Sequence, residues 1–105
     1  MTELRSKLAT ELLPSEWKML AMHYRRDALF IVDASVTLLD AAVAVAEDDR
    51  ERVSRWIDEG QIARPTPEQA RAWEAEEGPR FLSVIVQPFV LAQRLDDVAG
   101  EAPPA

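Results

Sequence analysis

The chain has no cysteine, a single histidine (His23) and three glycines among 105 residues. The first absence rules out a disulfide framework and suits a reducing compartment. The second removes the usual general base and transition-metal ligand from all but one position. With so few glycines there is no phosphate-cradling loop. Long apolar runs are also missing. The longest, 81–92, is broken by Ser83, Gln87 and Pro88, well short of the roughly 20 residues a membrane helix needs. The amino terminus opens with mixed charge rather than an apolar leader. These features together give a cytoplasmic protein that does not enter a membrane.

Positive charge is also scarce. Twelve Lys and Arg against nineteen Asp and Glu leave a net charge of −7 and a pI near 4.6. Nucleic-acid binding depends on cations displacing phosphate counterions, so a nucleic-acid partner is excluded. A basic protein partner would be favoured instead. Hydrophobic residues make up 48% of the chain, enough for one core in a domain of this size.

Hydrophobic spacing gives the order of elements. Leu4, Leu8 and Leu12 predict a helix over 2–13, stopped by Pro14. Ser15 is the expected cap of a second helix carrying Trp17, Leu20, Ala21 and Tyr24 on one face, with Met19 and Met22 widening it. The run 28–32 reads as a buried strand. Ser35 is the expected cap of an apolar central helix reaching about Glu47. Asp49 begins the next helix, with the stripe Val53, Trp56 and Ile57 and a left-handed stop at Gly60. Pro65-Thr66-Pro67-Glu68-Gln69 is the strongest local signal, a capping box with proline in the first helical position.

These elements predict an α+β domain over 1–95, with an acidic, disordered tail at 96–105. Four or five helices would pack on one face of a small sheet made of 28–32, 61–64 and 80–87, with 89–94 as a candidate fourth strand. Two of the strands are almost wholly apolar. That demands cover on both faces, or an open face closed by a second subunit.

No residue pattern carries a specific catalytic signature. His23 has no carboxylate at a suitable spacing and reads as a helix-end residue. Asp33-Ala34-Ser35 follows a strand and precedes a helix, but lacks a nucleophile-elbow motif and reads as turn and cap. Asp40, Glu47 and Asp48 share one side of the central helix and, with Asp33, are the candidate ligand-binding carboxylates. No calcium-loop spacing accompanies them, so neither a metal nor a cofactor is assigned. Tyr24-Arg25-Arg26 and Lys18 form the one basic concentration and complement a helix end. Trp17, Trp56 and Trp73 anchor the core. Ala41 and Ala44, between Thr37 and Asp40, form a small-residue stripe where another chain could approach closely. With Phe89 on the last strand they are the candidate interface of a homodimer.

From 15 to 93 the chain resembles a bacterial family, domain of unknown function 2288. Trp17-Lys18, Val32-Asp33-Ala34-Ser35, 42–48, Trp56 followed by Gly60, Trp73 and the stretch 84–93 carry the resemblance. Gln87 and Phe89 depart from its pattern, where alanine and tryptophan are expected. The resemblance implies a cytoplasmic bacterial protein of one compact domain, and it brings no functional residue with it. Two function classes follow from the residues themselves. One is a non-catalytic interaction or regulatory module that self-associates. The other is a ligand-binding, metal-binding or catalytic protein built on carboxylates.

Overall fold

A computed structural model describes residues 2–97. The chain runs α1 (Thr2–Thr10), β1 (Leu13–Ser15), α2 (Trp17–Arg25), β2 (Leu29–Val32), α3 (Leu38–Ala46), α4 (Arg50–Asp58), β3 (Ile62–Ala63), α5 (Pro67–Glu74), β4 (Phe81–Val86) and β5 (Phe89–Arg94). A 3-10 turn, Leu95–Asp97, closes the described chain. The expected tail falls outside the described residues from 98 onward.

The α+β class holds, but the sheet has five strands rather than three or four, ordered β1-β4-β5-β2-β3. The additional strand is β1. The first helix is shorter than expected: α1 ends at Thr10, and Pro14 lies inside a strand, where its fixed φ suits extended backbone at a sheet edge. Leu13 pairs with Ser83 and Ser15 with Phe81. Ser15 is therefore a strand residue and not a helix cap. Its hydroxyl shares a 2.7 Å hydrogen bond with that of Ser83 inside the sheet. Glu16 precedes α2 without a capping side-chain bond.

β2 and β5 pair in parallel, from Leu29 opposite Val90 to Ile31 opposite Ala92. Every other pairing is antiparallel. Side chains alternate across the strands and feed two cores. Val32, Val84, Val86 and Leu91 face α1, α3 and α4, together with Leu8, Leu38 and Ile62. Leu29, Phe81, Val90 and Ala92 face the other way, against Trp17 and Leu20 of α2 and Trp73 of α5. Helices thus lie on both faces and not on one, which is how the two apolar strands are buried.

The expected caps at Thr66 and Asp49 and the left-handed stop at Gly60 hold. Thr66 and Gln69 make the reciprocal capping box, with both bonds at 3.0 Å. Asp49 accepts from the Arg52 amide at 3.3 Å, and Gly60 has φ +77°. Ser35 does not cap the central helix. Asp33 takes both its amide, at 3.0 Å, and its hydroxyl, at 2.6 Å. The cap passes to Thr37, whose hydroxyl accepts from the Asp40 amide at 3.1 Å. Among the described residues, three polar ones are buried: Ser15, Ser83 and Gln93. Gln93 donates from Nε2 to the carbonyls of Asp33 and Val36, both at 2.8 Å, and so ties β5 to the β2–α3 turn. Among the described residues, no buried side-chain polar atom lacks a partner.

Candidate interaction site

The four candidate carboxylates do not share a cleft. Asp33 sits before α3, while Glu47 and Asp48 sit after it, so the length of that helix, about 14 Å, separates them. Each has a local task. Asp33 organises the Ser35 turn, and Gln61 Nε2 extends the network by donating to the Ser35 hydroxyl at 2.9 Å. Asp40 pairs with Arg5 of α1 at 2.8 Å. Glu47 is the C-cap residue of α3. Asp48 takes a left-handed backbone, φ 58°, and receives Arg50 Nε at 3.3 Å. Among the described residues, no group of three His, Cys, Asp or Glu side chains is placed to hold a metal ion.

At Asp33 and Asp40 the surroundings favour the charged form. The hydrogen bonds from Ser35 hold the Asp33 carboxyl below the ordinary range. The hydrogen bond from Arg5 does the same for Asp40. Glu76 is lowered by Arg94, which grips it with two parallel bonds of 2.7 and 2.9 Å while lying over the ring of Phe81. Groups whose folded pKa is depressed stabilise the fold above their unfolded values, near 4, and lose that contribution as pH falls through the folded values. Thermal melts are therefore expected to fall progressively below about pH 4.5. Asp40→Asn combined with Glu76→Gln is expected to flatten the fall. Equal acid sensitivity in that double variant would refute the assignment.

The small-residue stripe is not a surface. Ala41 and Ala44 are both fully buried within the chain. The close approach their size permits is made by the protein's own elements. α3 is packed between the sheet, α1 and α4, and only small side chains fit at those contacts. The homodimer surface expected there is corrected accordingly. Phe89 is exposed, at 37%, and its ring meets that of Phe30 edge-on at 5.6 Å.

Two apolar surfaces remain open, one on each side of the sheet. The first is a groove of about 310 Å³ beside α4. Its floor is Ala44, Ile62 and Leu91, and its walls include Phe30, Phe89, Val53 and Ile57. Asp48, Asp49 and Arg50 stand at its mouth. The stripe Val53, Trp56 and Ile57 forms as expected, yet no residue of α4 is buried. Trp56 leans on the core under the guanidinium of Arg52, while Ile57 remains 48% exposed. The second surface gathers Leu13, Met19 and Ile85 around a shallow cavity of about 290 Å³ that His23 also borders. Met22 lies one helical turn along α2 from Met19.

Neither surface is evident from pattern alone, but both leave traces. In α2, two methionines widen the apolar stripe beyond what one sheet face can cover. In β4, Val84-Ile85-Val86 shows no polar alternation, so it conceals that Ile85 points outward.

A family model described as "Protein of unknown function (DUF2288)" matches residues 3–94. The chain is also similar to the protein of the NMR solution structure of PA1075 from Pseudomonas aeruginosa. That match has 30% identity and a TM-score of 0.75, covering 90% of this chain and 87% of that one. No curated protein matches the chain.

Proposed function

The chain belongs to the DUF2288 family, and we propose that it is a non-catalytic, self-associating protein-interaction module of the cytoplasm. Its groove beside α4 takes an amphipathic, basic segment of a partner protein. The observation that carries this reading is α4 itself, an amphipathic helix without one buried residue. A nine-residue helix is marginal in water and draws its stability from packing its apolar face. Here that face is only half met from below, and a segment laid into the groove would complete its burial against Phe30, Phe89, Val53 and Ile57. Asp48 and Asp49 stand at the mouth with Arg50, and Arg64 lies over the Phe30 wall, so the net charge of −7 is what favours a cationic segment. The carboxylate-based alternative needs convergent acids with raised pKa values. The separation of Asp33 from Glu47 and Asp48, and the lowered values at Asp33 and Asp40, count against it.

The probe is a pair of synthetic helical peptides, each about 14 residues long, with leucines at helical spacing and either lysine or glutamate on the polar face. In NMR titrations the lysine peptide is expected to shift Val53, Ile57 and Phe89 and to bind about tenfold more tightly than the glutamate peptide at low salt. Ile57→Lys is expected to weaken it by about tenfold. Equal binding of the two peptides, or shifts away from the groove, would refute the reading.

A further inference from the structure

We infer that the face formed by Leu13, Met19, Met22 and Ile85 receives a second copy of this chain across a two-fold axis. The inference rests on the interaction reading above but uses the opposite side of the sheet.

All four side chains are large, apolar and between 50% and 56% exposed. They come from β1, α2 and β4, and the reason they stay uncovered is visible in the sheet. α2 packs over β2 and β5. Val90 of β5 is 3% exposed, while its cross-strand partner on β4, Ile85, is 56% exposed. The cover on this face reaches Phe81 and Ser83 of β4 and Ser15 of β1, which are buried, and ends short of Ile85 and Leu13, which keep an open apolar margin at one end of the two strands.

The edges of the sheet offer little to a partner. β1 has three residues, with Pro14 at its centre unable to donate a hydrogen bond. β3 has two, followed by Arg64 and Pro65. Association on this side must therefore use the side-chain face rather than an added strand. Four half-exposed large side chains supply a few hundred Å² of apolar surface. That is close to the apolar share of the roughly 800 Å² each partner contributes to a standard interface.

Charge placement favours a copy of the same chain. Glu11 borders the apolar centre, as does His23, and Arg26 continues the Met19–Met22 stripe. A surface carrying both signs around an apolar middle is complementary to itself when the same patch is used twice. Met19 and Met22, a turn apart, would lie against the same pair on the partner's α2, where their flexible side chains can adjust to each other. Two chains of −7 repel, so the dimer should tighten as salt is added.

Sedimentation equilibrium from about 5 to 500 μM is expected to show the 11.8 kDa species giving way to one of twice that mass, at lower concentration when salt is raised. Met19→Lys combined with Ile85→Lys is expected to remain monomeric throughout. Met19→Gln, a milder change at an exposed position, is expected to weaken pairing several-fold while leaving the thermal melt in place. Ile57→Lys, in the groove, is expected to leave pairing unchanged, so the two surfaces fail or stand separately. A wild-type chain that stays at 11.8 kDa at every concentration overturns the inference, as does a dimer that survives the double lysine substitution or one abolished by Ile57→Lys.

Discussion

Phe81→Ala is expected to destabilise the fold by about 3–5 kcal/mol, a large share of the 5–15 kcal/mol that holds a typical domain together. Phe81 is 0% exposed and stands at the start of β4 between two tryptophans. The Trp73 ring meets it nearly perpendicular at 5.2 Å, and that of Trp17 is tilted at 6.1 Å. Trp17 and Trp73 also touch edge-on at 5.5 Å, so the three rings form a closed triangle. Truncation removes aromatic contacts from both tryptophans and leaves a void that neither rigid ring can collapse into. It also takes away the surface on which the Arg94 guanidinium rests, 4.9 Å from the ring centre, while Arg94 holds Glu76. In a domain of this length the melting temperature should drop by about 15 °C or more. A drop below about 5 °C would mean that the aromatic cluster is not what fastens α2 and α5 to the sheet.

Ala41→Arg is expected to abolish folding, with a cost above about 4 kcal/mol. The side chain is fully buried in the core shared by α1, α3 and the sheet, where a guanidinium would lose its water and, among the described residues, meet no buried acid. Ala41→Ser, by contrast, should cost about 1 kcal/mol, because a hydroxyl can bond back to the preceding helical turn. Circular dichroism and thermal melts of the two variants separate the outcomes. If Ala41 faced solvent, arginine would change stability by less than about 0.5 kcal/mol.

Ala41 also marks the limit of what the sequence reveals. Periodicity correctly makes residues 38–46 an apolar helix, yet it cannot say which sector of that helix lies deepest. Valine and leucine carry more hydrophobic surface, so a ranking by hydrophobicity turns them inward, as it does correctly for Leu38, and turns Ala41 and Ala44 outward. Packing decides otherwise, because α3 is enclosed by three neighbours and the closest approaches admit only small side chains. The capping box at Thr66 was legible because its donors and acceptors lie three residues apart, all within the motif. The roles of Ser15 and Ser35 were not. Ser15 depends on a distant partner, Ser83, whereas Ser35 is taken by a local competitor, the Asp33 carboxylate two residues before it, which wins the hydroxyl from the helix end. The candidate carboxylates were legible as residues but not as separate groups, since their distances depend on the length of the helix between them. β1 was hidden because a three-residue edge strand containing proline has almost no pattern of its own.

The parallel pairing of β2 with β5 has a consequence for how the protein is made. β5, the last strand among the described residues, occupies the middle of the sheet, flanked by β4 on one side and β2 on the other. Until the ribosome has released residues 89–94, the β2–β3 pair and the β1–β4 pair have no common neighbour and neither core can close. Nascent chains must therefore carry Leu29 and Val32 without their sheet partner until residues 89–94 have been made. That long open interval, ended by one slow long-range closure, is when chaperones would find most to hold.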